Sequence, residues 1–387
     1  MKEKMYSKIK TLMPDMKELS DSIFDNPECG FEEYKAAASL TGYLEKNDFK
    51  VERGIAGLPT AFRAIWSNGT GGPNIGFLGE YDALRVIGHA CGHHMQTPAC
   101  IAAAMALREA VGDAPVTITV YGTPAEETTG GKITMLREGF IKELDVALGC
   151  HSGTNTRVSG PSKAIRSFIV TYKGIPSHAS GSPQEGRSAL DTAILSFNGI
   201  EFMREHVRDD SRMHYSILEN TGPSNVVHEK AVVIYTLRSN SNTYLDQMVE
   251  RFHRILQGAC LMTDATCEIK PNANYDAMIP LKSLIGVAQA NMKESGTERY
   301  LDTIPEAGGS TDFGNVSCVV PTCMVYVSYC DAPSHSQAWV DAGKTEKAAY
   351  FIEESAKIMA GTAWDLLQNP AVLDEMKQEL EAKLKTE

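Results

Sequence analysis

The sequence predicts an α/β protein in two parts: a central, mostly parallel sheet flanked by helices, and a ferredoxin-like α+β domain inserted into it. Three observations predict this. Short β-rich runs alternate with helical periodicity from about residue 60 to 150 and resume after 320. Between about 164 and 272 the order changes to strand, helix, strand, strand, helix, strand. The chain has 387 residues, 43% of them apolar, which is more than one ordinary domain needs. The expected division is therefore residues 1–163 with 273–387 as one domain and 164–272 as the insertion.

Each element has a local reason. From Lys8 to Phe24 apolar residues recur at helical spacing (Ile9, Leu12, Met13, Met16, Leu19, Ile23), and Asn26-Pro27 stops the run. A second helix is expected over Glu32–Asn47, then strands at Thr60–Trp66 and Asn74–Leu78 around a Gly-rich turn. Thr97-Pro98 reads as N-cap and first position of a helix reaching about Val111. Val116–Tyr121 is β-rich and ends at Gly122-Thr123-Pro124-Ala125-Glu126-Glu127. A helix over Lys132–Gly139 leads to a buried strand, Val146–Cys150, and then His151.

In the insertion, strands are expected at Ile165–Tyr172, Tyr215–Leu218, Ala231–Leu237 and Ala265–Ile269, with helices at Arg187–His206 and Tyr244–Cys260. Thr322–Tyr329 is a further apolar strand, with His335 just past it. Asn369-Pro370 opens a capped terminal helix whose stripe is Leu373, Met376, Leu380 and Leu384.

Composition excludes several classes. A net charge of −12 argues against nucleic acid or an anionic membrane as partner. Met1 to Met16 mixes charged and apolar residues and lacks a signal-peptide core. The apolar run Ala99–Leu107 is too short to span a bilayer. Nine cysteines, an odd number without framework spacing, fit a reducing compartment, so a cytoplasmic protein is expected. Cys100, Cys150, Cys260, Cys318 and Cys323 sit among apolar neighbours and are expected in the core.

The chemistry gathers at His89-Ala90-Cys91-Gly92-His93-His94, three imidazoles and a thiol within six residues. If this segment is extended, Cys91 and His93 point the same way, and Gly92 leaves room for close approach. A buried Cys and incidental histidines are the bland alternative; the density of ligand types weighs against it. Asp82, the Cys91/His93 pair, Glu126/Glu127, His151 and His335 each follow a predicted strand. Ligand sites of open α/β sheets gather beyond the carboxyl ends of the strands. A Glu-Glu pair alone reads as a solvated loop, but after a β-rich strand and a Gly-Thr-Pro turn it reads as functional.

Seven segments then carry a likeness: Asn26-Pro27-Glu28-Cys29-Gly30-Phe31-Glu32-Glu33, Gly79-Glu80-Tyr81-Asp82-Ala83-Leu84, Ile87-Gly88-His89-Ala90-Cys91-Gly92-His93, Pro124-Ala125-Glu126-Glu127, Pro176-Ser177-His178-Ala179, Gly309-Ser310-Thr311-Asp312-Phe313-Gly314-Asn315 and Pro333-Ser334-His335-Ser336. In this order, over nearly the whole chain, they resemble the M20 family of metallopeptidases and amidohydrolases, in the branch with aminoacylase-1-like 2 proteins and aminobenzoyl-glutamate hydrolase. The resemblance implies a metallopeptidase-type catalytic domain holding two divalent ions per subunit. Zinc and manganese suit the mixed donors, with cobalt a further option. It implies Cys91, His93, Glu127, His151 and His335 as ligands, Cys91 as the bridge, Glu126 as general base and Asp82 as a supporting acid.

It further implies that the inserted domain dimerises the protein or acts as a lid. His178 would then reach the partner's active site and stabilise an oxyanion. Asn225 and Arg238 match positions near the substrate, and an arginine suits a carboxylate through its planar fork. Arg85-Val86 stands where relatives commonly have Pro and Gly, and the Arg85 cation beside the metal motif bears on the choice of substrate. His89 and His94 are expected to be supporting or structural.

Two cations close together can activate a water and polarise a carbonyl, while an unligated carboxylate takes the proton and returns it to the leaving amine. The expected function is a metal-dependent amidohydrolase cleaving an N-acyl or N-aroyl amino acid, or a dipeptide-like compound. The alternative, motivated by Arg85 and His94, is an aminohydrolase that removes the amino group of an aromatic amine. A silent metal-stabilised binding protein ranks below both, since all five ligands and the base are present. Ser152 and Cys150 lack a nucleophile elbow, and no nucleic-acid motif is present. The expected partners are a small-molecule substrate and a second copy of the chain, with neither nucleic acid nor membrane.

Overall fold

A computed structural model describes residues 1–220, 222–304 and 306–386. They form two compact units, one made of Met1–Pro161, Met278–Glu306 and Thr311–Thr386, the other of Ser162–Ala277 with Ala307–Ser310. The strands in chain order are β1 (Lys50–Arg53), β2 (Phe62–Asn68), β3 (Asn74–Gly79), β4 (Val116–Gly122), β5 (Val146–Gly153), β6 (Arg157–Val158), β7 (Ala164–Lys173), β8 (Arg212–Asn220), β9 (Lys230–Ser239), β10 (Thr266–Tyr275) and β11 (Thr322–Ser328). The helices are α1 (Lys2–Asp25), α2 (Tyr34–Lys46), α3 (Gln96–Ala110), α4 (Gly131–Arg137), α5 (Ala189–Arg204), α6 (Asn242–Thr263), α7 (Lys282–Ser295), α8 (Phe313–Ser317), α9 (Gln337–Asp341), α10 (Glu346–Gln368) and α11 (Pro370–Leu384).

The first unit carries a sheet ordered β1-β2-β4-β3-β5-β11-β6. It is mixed rather than mostly parallel: β4, β3, β5 and β11 run together, while β1–β2, β2–β4 and β11–β6 are antiparallel. The reason is connection length. Strands that run the same way need a crossover, usually a helix, and the connections β1 to β2, β2 to β3 and β5 to β6 contain no α-helix. Helix α3 lies under the parallel strands and is buried on every face except at Arg108 and Glu109. Its run of alanines lets it pack against α1, α10 and β3 at once. Helix α1 presents Met5, Ile9, Leu12, Met16 and Ile23 to the same core and begins earlier than its periodicity from Lys8 suggests.

Some local expectations fail for identifiable reasons. Thr97 is not the N-cap of α3: it sits inside the helix, and its hydroxyl donates to the Glu80 carbonyl at 3.0 Å. Asn369 precedes α11 without a side-chain cap, and Leu384 at the end of its stripe is exposed. Cys260 and Cys318 are only half-buried, whereas Cys100, Cys150 and Cys323 are core. β1, four residues with polar ends, has no periodicity to announce it.

The second unit is a four-stranded antiparallel sheet, order β10-β7-β9-β8, with α5 and α6 packed on it. The order of elements is strand, helix, strand, strand, helix, strand, as in ferredoxin-like folds. Ser188 and Ser241 cap the two helices by accepting from Asp191 N and Tyr244 N. Inside, Tyr172 and Tyr235 share a hydroxyl contact of 2.8 Å and both reach Ser196, which satisfies their polar ends in an apolar core. Edge strand β8 leaves Tyr215, Ile217 and Leu218 exposed. Among the described residues no helix is long and apolar enough to cross a membrane.

Candidate metal centre

The parallel strands deliver their carboxyl ends to one side of the first unit. Glu80 to Asp82 follow β3, Glu126 and Glu127 form the turn after β4, and His335 lies in the loop beyond β11. His151 is inside β5 rather than after it.

The Cys91–His93 segment is not extended. Gly92 takes a left-handed φ of 83°, and a 3-10 turn, His93–Met95, follows. The turn, rather than strand alternation, puts thiol and imidazole on one side. A Cβ at Gly92 would stand 2.6 Å from Ser152 Oγ. That hydroxyl donates to the Cys91 carbonyl at 2.7 Å, so β5 and the turn are locked together.

Ligand-type atoms of Cys91, His93 and His151 lie within 4.8 Å of one another, as do those of Cys91, Glu127 and His335, and those of His93, Glu126 and Glu127. Cys91, His93 and Glu127 each belong to two of these groups, so the three overlap. Two of the three imidazoles are oriented from behind. His93 Nδ1 meets Asp82 Oδ1 at 2.9 Å and His151 Nδ1 meets the Ser152 carbonyl at 2.8 Å, which turns both Nε2 atoms inward. His151 Nε2 is 3.5 Å from Cys91 Sγ, and His335 Nε2 is 3.1 Å from Glu127 Oε1. Asp82 also accepts from Glu127 N at 3.0 Å, tying two ligand-type residues to one acid.

Buried His93 Nε2 and Glu127 Oε1 have no aligned hydrogen-bond partner, although His93 Nε2 stands 3.3 Å from Glu80 Oε2 and Glu127 Oε1 stands 3.1 Å from His335 Nε2. Sulfur, nitrogen and oxygen ligand-type atoms thus lie in overlapping groups, a donor set that suits a zinc-like cation. Burial pushes the Cys91 thiol up to about 12, although His93 pulls the other way. Burial also opposes charge on His93, but Cys91, Glu80 and Asp82 outweigh it and hold the imidazole well above its usual range. Glu126, half-buried, is pushed well up by burial and by the Glu80 and Asp312 carboxylates.

Two buried networks adjoin the cluster, and nothing in the sequence assigns a role to their charged members: Glu80, Asp312 and Glu33 lie in the family-like segments and Lys132 lies outside them. In the first, Lys132 Nζ lies 2.7 Å from Glu80 Oε1 and 2.6 Å from Asp312 Oδ1, all three buried. Gln96 holds the other Glu80 oxygen at 2.9 Å. A lysine at a predicted helix start reads as solvated. In the second, Ala125, just before Glu126, has a φ of 64°, a strained value for a residue with a Cβ. Its N–H donates to buried Glu33 at 2.9 Å, and Thr60 donates to the other Glu33 oxygen at 2.8 Å. Burial raises the Glu33 carboxyl to about 7. Glu33 therefore fixes the turn that presents Glu126.

The remaining predicted residues lie apart from the cluster or in the second unit. His89 Nε2 meets the Ile23 carbonyl and His94 Nε2 the Gly343 carbonyl, and the two rings pack against Phe24. Burial lowers both, His94 to about 4, so they are neutral packing groups. Arg85 is exposed at the tip of the Leu84–Gly88 hairpin. In the second unit, His178 is exposed in the loop after β7, with Nδ1 accepting from Gly181 N at 3.0 Å. The Asn225 carbonyl accepts from Ala179 N at 2.9 Å in the same loop cluster. Arg238, half-buried in β9, donates to Ser310 Oγ at 2.8 Å.

A profile of peptidase family M20/M25/M40 matches residues 80–357. The chain belongs to this family. It is 34% identical to a mouse Xaa-Arg dipeptidase over 95% of this chain and 89% of that protein. It is 32% identical to one subunit of the Escherichia coli p-aminobenzoyl-glutamate hydrolase over 94% and 91% of the two. Among solved structures, a Bacillus subtilis dinuclear metal-binding peptidase of the M20 family superposes with a TM-score of 0.66 at 18% identity, covering 90% of this chain and 98% of that one. Membership makes this chain a metal-dependent hydrolase acting on C–N bonds, of the peptidase and amidohydrolase type.

Proposed function

We propose that the protein hydrolyses the amide bond of an N-acyl or N-aroyl amino acid or of a dipeptide-like compound, at a centre of two divalent ions held by Cys91, His93, Glu127, His151 and His335. The observation that carries this is the gathering of one thiol, three imidazoles and two adjacent carboxylates into overlapping groups of ligand-type atoms. Zinc or manganese suits the donors, with cobalt a further option. When bound, such ions supply Lewis acidity to a water and to the substrate carbonyl.

The residues do the rest. Asp82 orients His93 and Glu127 from behind. Glu126, held by the Glu33–Ala125 turn, receives the proton of the attacking water and delivers it to the leaving nitrogen. The names of the relatives, a dipeptidase and an aminobenzoyl-glutamate hydrolase, support cleavage of an amide next to an amino acid. Arg85 and His94, which motivated the aminohydrolase alternative, point away from it: one is at an exposed hairpin tip and the other is packed against a backbone carbonyl. A panel of N-acyl amino acids, p-aminobenzoyl-glutamate, β-alanyl and Xaa-Arg dipeptides and aromatic amines is expected to release free amino acid. Ammonia without amino acid would move the assignment to the aminohydrolase.

The second unit is proposed as the dimerisation or lid domain, with Asn225 and Arg238 as substrate contacts. The exposed apolar residues of edge strand β8 support pairing with a second copy. Backbone donors to His178 Nδ1 leave the proton on Nε2, so the ring presents a hydrogen-bond donor suited to an oxyanion. If that oxyanion belongs to the partner subunit, mixing His178→Ala with Glu126→Gln protein restores about a quarter of wild-type activity, the statistical share of one intact site in random dimers. Mixtures that exchange subunits yet stay inactive would rule out sharing.

A further inference from the structure

The second unit has two cysteines, Cys260 and Cys267, and both lie at one corner of it. Cys260 stands in the last turn of α6, and Cys267 is the second residue of β10. The chain doubles back between them. Asp264 takes a left-handed φ of 52°, and three donors close on the Cys260 carbonyl: the Asp264 N–H, the Ala265 N–H at 3.2 Å and the Thr263 hydroxyl at 3.3 Å. β10 then joins the sheet with Cys267 opposite Tyr172 of β7.

The two cysteines line one open cavity of about 560 Å³, walled also by Gln257, Leu261 and Asp264. Both are half-buried, so a small reagent reaches them through that opening. Burial, and after it the Cys267 thiol alongside, push the Cys260 thiol up to about 12. Cys260 is thus a poor first nucleophile and keeps its proton beside a charged neighbour. The other cysteines differ. Cys100 and Cys150 are also neighbours but are buried, and half-buried Cys29 and Cys318 belong to the first unit.

We propose that Cys260 and Cys267 are a reversible redox site, converted to a disulfide by low-molecular-weight disulfides of the glutathione type, that ties the end of α6 to β10. The Cys267 sulfur, as thiolate, attacks one sulfur of the reagent and expels one thiolate. Cys260 then yields its proton to solvent and displaces the second thiolate from the Cys267 sulfur. Each expelled thiolate takes up a proton. One S–S bond of the reagent is broken and one is formed in the protein, so the cysteines lose two electrons and two protons and the reagent becomes two thiols. The ring closed is eight residues long, and β10 is an edge strand held by β7 alone. A covalent tie there adds to a single ladder and is released when thiols are in excess.

The test uses full-length, metal-loaded protein treated with oxidised glutathione, alkylated without reduction and mapped by mass spectrometry. The expected result is the loss of both thiols: Cys260 and Cys267 escape alkylation together, in a single peptide two hydrogens lighter, and a reducing dithiol returns both. Cys260→Ser is expected to stop half-way, with one glutathione held on Cys267, and Cys267→Ser to leave Cys260 a thiol over the same time. Wild-type protein in which both stay alkylatable overturns the proposal. So does glutathione on each without an internal bridge, or a bridge from either to another cysteine or another chain. Cys260 reacting in Cys267→Ser as fast as Cys267 does in Cys260→Ser overturns the order of attack. The wild-type map stands by itself, so a serine variant that fails to fold leaves the test decisive.

Discussion

Glu126→Gln is expected to lower kcat by about 10²- to 10⁴-fold, the range for removing a positioned acid–base group, while the protein keeps its metal. The amide is isosteric and leaves the Glu33–Ala125 turn in place, but it cannot take a proton from water. Cys91→Ala is expected to do the reverse first, lowering metal content and losing activity as a consequence. Its sulfur stands within 4.8 Å of ligand atoms on both sides of the cluster, from His93 and His151 in one group and from Glu127 and His335 in the other. Burial pushes its thiol up to about 12 against the pull of His93, and a bound cation would stabilise the thiolate further. Elemental analysis beside steady-state rates separates the two. Substantial kcat in Glu126→Gln would remove it from the base role, and full metal content in Cys91→Ala would deny that sulfur a ligand role.

How much of this was legible in the sequence follows from the range of the interactions. Strand and helix cores such as Val116–Tyr121 or Glu32–Asn47 are written in local periodicity, and the structure shifts their ends by a few residues. The nearness of Cys91 to His93 was legible, but its cause was not. Whether the segment runs as a strand or as a left-handed turn depends on Ser152, far along the chain, closing over Gly92. The mixed sheet was missed for the same kind of reason, since strand direction depends on what spans each connection. Lys132 and Arg157 had no sequence signal, and Glu33 stood in a family-like segment without a role to go with it. A charged residue looks solvated until its neighbours are known. Glu33 is buried against Ala125, Lys132 is buried between two acids, and Arg157 lies over Tyr326 with no acid.

Lys132→Met is expected to destabilise the first unit by ~3–5 kcal/mol, the cost of leaving a buried ion cluster without its partner. Lys132, Glu80 and Asp312 are each almost wholly out of solvent, and one ammonium faces two carboxylates. Burial alone would lower the lysine, but Asp312 and Glu80 outweigh it and hold it charged. Methionine fills the space of the stem and so removes charge with little change in packing, leaving both carboxylates uncompensated. For a chain of this size the loss corresponds to a fall in Tm of about 5 °C. The triple change Glu80→Gln, Lys132→Met, Asp312→Asn neutralises the cluster and should recover most of the loss, because the penalty belongs to unpaired charge rather than to shape. Thermal melts of the single and triple variants decide it. A single variant within about 1 kcal/mol of wild type, or a triple variant no better than the single, would show that Lys132 is not what holds these acids in place behind His93.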